Sequence, residues 1–170
     1  MTNQFIKPLL FLCVLHFSSC TNSDAGKDIK ANIIHSVTLG GYLTCDSVNY
    51  IFVKSNLLNS TDDTLTCVRM MCPTWSAYTL DSKDLLFENE PCFINGANLI
   101  TIAPHQSVDL FLRITSTKDI SEWRNINFRL GFNCILRDST KNLFTQAEES
   151  GNMKNIAWSD TIKLKNFWLQ

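Results

Sequence analysis

The sequence predicts an all-β domain, two antiparallel sheets packed face to face. Three observations point there. From residue 29 onward, apolar residues recur at period two or in brief continuous blocks, both of which are strand signatures. Clusters of Gly, Pro, Asn, Asp and Ser separate these runs. Helical periodicity is confined to one modest stretch, Ser116 to Trp123. Each sheet must bury one face, and a second sheet is the simplest cover.

The elements follow in order. Residues 31–39 read as a first strand, ended by Gly40-Gly41. Residues 47–58, with Tyr50, Ile51, Phe52 and Val53, form a second. Asn59-Ser60-Thr61-Asp62-Asp63 is a turn, because short polar side chains bond their own backbone and favour reversal. The chain resumes as a strand over 64–72, so a hairpin is the simplest reading of the pair. Pro73-Thr74-Trp75 breaks that strand; short strands follow at 77–80 and 85–87, with a turn between them at 81–84. Residues 88–98 are loop, and 99–102 a strand closed by Ala103-Pro104-His105-Gln106-Ser107. Val108, Leu110, Leu112 and Ile114 then share one face of an alternating strand. In the modest helical stretch, Ser116 or Thr117 can cap a turn, with Asp119 near its start. Along 127–136, Phe128, Leu130, Phe132 and Cys134 share a face. Residues 138–155 read as a long polar connection, and 157–164 as a last strand. The rhythm of about eight or nine strands resembles an immunoglobulin-like β-sandwich. A small closed β-barrel is the alternative architecture.

Composition bounds the function. The chain has 170 residues, 45% hydrophobic and 18% charged, enough to build one packed core. Fifteen basic against 16 acidic residues leave no broad cationic surface, so no nucleic-acid partner is expected. No stretch past the N-terminus approaches the length of a membrane-spanning helix.

The N-terminal segment reads as an export signal. Lys7 precedes an apolar run from Pro8 to Phe17, about the length of a signal-peptide apolar region and too short to span a bilayer. Phe17-Ser18-Ser19-Cys20 resembles a bacterial lipobox, with Phe17 where Leu is usual. That resemblance implies a diacylglycerol on the Cys20 thiol, cleavage before it, and acylation of the new amino group. Residues 1–19 are then a lipoprotein signal peptide, 20–28 the lipidated cysteine and a polar tether, and 29–170 the sandwich domain. Several acyl chains hold a protein durably on a membrane where one does not. Thr21, rather than Asp, leans toward the outer membrane under the enteric sorting rule.

After processing, five cysteines remain: Cys45, Cys67, Cys72, Cys92 and Cys134. An oxidising compartment favours disulfides, and an odd count leaves at least one thiol over. Cys72 and Cys92 flank a loop-rich stretch, and joining them would stabilise by roughly 3 kcal/mol in the chain-entropy model. Cys67 and Cys134, inside strand-like runs, read as small buried apolar residues, and Cys45 as either buried or free. No C-x₂-C spacing or histidine pair supports zinc, and no metal or cofactor is expected.

The order of segments carries a resemblance. After the lipobox come Asn59-Ser60-Thr61-Asp62-Asp63-Thr64-Leu65, Met71-Cys72-Pro73-Thr74-Trp75, Cys92, Ile102-Ala103-Pro104-His105-Gln106-Ser107 and Phe128-Arg129-Leu130-Gly131-Phe132. This is similar to a group of small, uncharacterised bacterial lipoproteins with one β-sandwich domain. The likeness implies the fold and the Cys72–Cys92 pair, and no activity. A more generic likeness, a Pro/Ser turn before an alternating strand, is to proteinase-inhibitor sandwiches.

The sequence carries no G-x-S-x-G, phosphate-loop, H-E-x-x-H or dinucleotide motif. His35 reads as a satisfied or solvent-facing strand residue and His105 as a turn residue. Pro73, Trp75 and Tyr78 are the candidate exposed recognition loop, since aromatics anchor interfaces; a Trp beside a disulfide serves the core equally well. The resulting expectation is a non-catalytic envelope module, anchored to the membrane through its lipid and binding a protein or glycan. An inhibitor or chaperone-like sandwich and an unrecognised hydrolase are the alternatives.

Overall fold

In β2 (Val48–Asn59), Ile51, Val53, Ser55, Leu57 and Asn59 are all buried, and the residues between them are not. That strict alternation makes β2 a half-buried strand with one face on the core. The structure, a computed structural model, describes residues 32–45, 48–88, 96–149 and 155–166. The export signal, Cys20, the tether and Cys92 lie outside the described residues.

The front sheet has the order β1-β2-β7-β5, with β1 at Ile33–Cys45, β7 at Ser107–Ser116 and β5 at Leu85–Phe87, all pairs antiparallel. β1 continues past Gly40-Gly41, against the expected end there. The register shifts between Leu39 and Tyr42, so the glycines form an irregularity within the strand. A Cβ on Gly40 would sit 3.3 Å from the Phe52 carbonyl oxygen, and glycine permits that approach.

The back layer is assembled from interrupted strands. β3 (Leu65–Met70) and β4 (Tyr78–Leu80) flank the run formed by β8 (Asn127–Phe128), β9 (Leu130–Asn133) and β10 (Ile135–Leu136). β6 (Ala97–Ile102) pairs with β3; β11 (Ile156–Trp158) pairs with β9, and β12 (Ile162–Lys163) with β8. The strands expected over 127–136 and 157–164 are therefore each broken. Phe128, Leu130, Phe132 and Cys134 nonetheless share the core face as expected, all buried. Together with Ile51, Val53, Leu57, Leu112 and Ile114 they make one continuous core between the layers. The fold is thus the antiparallel β-sandwich, and it does not close into the alternative barrel.

The expected hairpin between β2 and β3 does not form. β2 pairs with β1 and β7, while β3 pairs with β10 and β6, so residues 60–64 cross from front to back. Asn59 explains the crossing. Its amide donates to the carbonyls of Asp63, Ile102 and Ala103, and its oxygen accepts from the Thr61 backbone N–H and hydroxyl. The side chain ties this arch to the second one, 103–106, instead of closing a two-strand turn.

The helical stretch becomes a 3-10 helix at Ile120–Asn125, whose Trp123 is buried. Ser116 accepts from the Lys118 N–H just before it, as a turn cap does. A helix also forms where a plain connection is expected: α1, Leu143–Glu149. Asn142 caps it, its side-chain oxygen accepting from the N–H groups of Phe144 (2.8 Å) and Thr145 (3.4 Å). α1 packs on β3, β6 and β10, which accounts for the burial of Val68 and Ala147 away from the central core.

Candidate binding surface and the buried polar chain

Cys67 and Cys134 are bonded to each other (Cα–Cα 5.2 Å), correcting the expectation that both are unpaired. Both are buried, as expected of their strand positions. β10 lies beside β3 with Leu136 opposite Cys67, so Cys134, the residue just before β10, is brought alongside Cys67 in the back layer. Sequence spacing hid the pair, because 67 residues separate the partners. Immunoglobulin domains link their two sheets instead. The bond also removes Cys67 as a metal ligand. Cys72 is itself disulfide-bonded, and the expected partner, Cys92, lies outside the described residues.

The proposed recognition loop turns inward. Pro73 opens a short 3-10 helix, Thr74–Ala77, and the chain enters β4 at Tyr78. Tyr78 is 2% exposed, so it cannot greet a partner. Trp75 is partly buried, packs on the core, and stacks on Phe87 with 4° between the rings. Ala77 ends the 3-10 helix and Tyr78 begins β4, both buried, and that draws the preceding aromatic toward the core. The signal present in the sequence was the short strand read at 77–80.

A buried polar chain lies between the sheets. Tyr78 Oη donates to Ser55 Oγ at 3.0 Å. Ser55 Oγ is 2.9 Å from His35 Nε2, and His35 Nδ1 donates to the Ala157 carbonyl at 3.0 Å. These contacts fix the tautomer: Nδ1 carries the proton and Nε2 accepts from the Ser55 hydroxyl. Burial holds His35 below its ordinary pKa, partly opposed by the bond to Ala157. Burial likewise pushes the Tyr78 hydroxyl up, so it stays a donor. The Ser–His contact has the form of a nucleophile and base, but Ser55 is 0% exposed and no substrate can meet it.

His105, with a positive φ of 54°, bonds Asp62 Oδ1 at 2.9 Å on the surface, joining the tips of the two arches. A cleft of about 570 Å³ opens where β7 leads into the Trp123 helix. Its polar groups serve the fold: Thr115 donates to the Asn49 carbonyl, Ser116 to that of Asp84, and the Trp123 indole to that of Lys118. Among the described residues no helix is long and apolar enough to cross a membrane.

The outer face of the front sheet is a different matter. Ile34 and Leu43 on β1, Phe52 on β2, Phe111 on β7 and Leu86 on β5 all point outward and are exposed, Phe111 by 68%. Phe52 lies opposite Arg113, and Lys54 opposite Phe111, so the two rings are diagonal neighbours. The charges between them are neutralised within the chain: Lys54 pairs with Asp109 at 2.8 Å and Arg113 with Glu88.

Compared with known protein families, curated proteins and solved structures, the chain matches none. The site is therefore read on its own chemistry. Sequence reasoning missed this surface because outward apolar residues on alternating strands are individually ordinary. Their signal is the sharing of one face by all four strands, and that requires the register.

Proposed function

We propose that the chain is an exported bacterial lipoprotein, held on the envelope through Cys20 and sorted to the outer membrane. Its sandwich then serves as a non-catalytic module that binds a partner protein. The observation that carries the binding role is the front-sheet face, where Phe52 and Phe111 are exposed as diagonal neighbours and Ile34, Leu43 and Leu86 are exposed on the same face. Single exposed apolar residues need no explanation, whereas a shared patch marks an interaction surface. Three of the five are aliphatic, which suits a protein partner better than a sugar ring, and the internally paired charges suit an uncharged contact. The anchor rests on Phe17-Ser18-Ser19-Cys20 and the polar tether after it.

Two measurements test this. Palmitate should label the wild type and not Cys20→Ala, which should leave the membrane fraction; equal labelling sinks the anchor. A photo-crosslinking residue in place of Phe111 should give a defined adduct in intact envelopes, while one in place of Leu99, exposed on β6, should not. No adduct from position 111, or equal adducts from both, overturns the binding face.

A further inference from the structure

We propose that the Tyr78–Ser55–His35–Ala157 chain is an acid-sensitive latch between the two sheets, and that protonation of His35 releases the N-terminal end of β1 from β11. The geometry carries this independently of the binding role. His35 and Ser55 belong to the front sheet, Tyr78 and Ala157 to the back layer, so both ends of the chain cross the core.

The hydrogen inventory runs in one direction only. With His35 neutral, Tyr78 donates to Ser55, Ser55 donates to Nε2, and Nδ1 donates to Ala157; every proton has an acceptor. A second proton on the ring makes Nε2 a donor. Ser55 must then accept from it, and whichever way the two hydroxyls turn, one hydrogen of the Ser55–Tyr78 pair is left without an acceptor in this chain. The imidazolium would also be desolvated at 6% exposure. The groups facing His35 are Ser55 from β2, Tyr78 from β4 (ring centroids 6.3 Å apart) and the Ala157 carbonyl from β11. Behind Tyr78 stands the Arg69 cation of β3, whose field reaches the Tyr78 hydroxyl. None of the three side chains of the latch bonds a carboxylate. Among the described residues, the surroundings therefore offer a positive charge nothing to pair with.

The direction of the effect follows from linkage. A histidine whose folded pKa lies below the open-state 6.5 adds stability that is full above pH 6.5. That stability is lost as the pH falls below 6.5, because the open state binds the extra proton first. One proton gives up to a tenfold change in the opening constant per pH unit in that window. The released end of β1 carries Ile34, one margin of the apolar face, and adjoins the point where the N-terminal segment enters the domain.

Hydrogen exchange and histidine NMR on the full chain test it. Protection factors at Ile34 to Val37 and in β11 should fall by up to tenfold per pH unit below 6.5. Those of the β3–β6 ladder should hold. His35 should titrate below the ordinary histidine value of 6.5. In His35→Gln, which cannot gain the proton, the β1 protection should be independent of pH. Should that variant not fold, the wild-type comparison decides alone. Uniform loss of protection across both sheets, an unchanged β1 while His35 titrates, or the same pH dependence in His35→Gln would each overturn the latch.

Discussion

Asn59 has no exposed surface, and its side chain makes five hydrogen bonds that tie together two arches. Its amide serves three carbonyls, two of them 43 and 44 residues away. Replacing it with Ala strands several of these buried groups, at about 1–3 kcal/mol each before relaxation. Asn59→Ala should therefore lower unfolding stability by about 3 kcal/mol in urea titration; a loss under 1 kcal/mol would show that water replaces the amide. The same burial bears on the Asn59-Ser60-Thr61 triplet, which matches the glycosylation pattern while its nitrogen is committed inside the fold. The chemistry of Asn59 was legible in the sequence, since short polar residues do bond nearby backbone. Its distant partners were not, because nothing local marks residues 102 and 103 as neighbours.

At the scale of elements, strand positions were legible where apolar residues recur, as along β2, β7 and residues 128–134. What the sequence concealed is which strands pair. A polar turn between two strands reads as a hairpin locally, and only the shared carbonyls of the arches turn it into a crossing. The helix α1 was hidden for a related reason. Its stability comes from an Asn cap, from Gln146 bonding back to Asp138, and from packing on β3, none of which a short polar stretch announces. β9 supplies the prediction at this scale. Gly131 lies between Thr79 and Trp158, and an added Cβ would approach Ile156 Cγ2 at 2.5 Å and Thr79 Cγ2 at 2.9 Å. Arg129 stacks 4.9 Å from the Trp158 ring centroid and bonds Asp81, closing that surface from outside. Gly131→Ala should cost about 1–3 kcal/mol by overpacking, read as a lowered thermal midpoint. An unchanged midpoint would mean that β11 moves aside freely.

Across the whole molecule, the Cys67–Cys134 bond encloses β4 through β9, a loop of 67 residues. In the chain-entropy model, a loop of that length stabilises the fold by about 4 kcal/mol. The double variant Cys67→Ala/Cys134→Ala should lose roughly that much in chemical denaturation. A loss below about 1 kcal/mol would show that the reduced chain is already restricted. The burial of both cysteines was readable from their strands; their union was not, since it depends on β10 lying beside β3. The two readings of the 73–78 loop were separated at the same scale: Trp75 stacks on Phe87 and Tyr78 packs on Phe132 and bonds Ser55, contacts that only the assembled layers supply.

The place of His35 in β1 has a mechanical side. It is the third residue of that strand, close to where the N-terminal segment enters the domain. Any pull on that segment is delivered first to the Ile33 end of β1, before the long ladder with β2 shares the load. The His35 bonds to Ser55 and Ala157 stand near the head of that line, one in each sheet. They act as a strain relief, and the rate of forced opening is set by how fast such a barrier is crossed. A domain pulled from its N-terminus should therefore yield at lower force in acid, by letting go at one strand end while the core behind it stays shut.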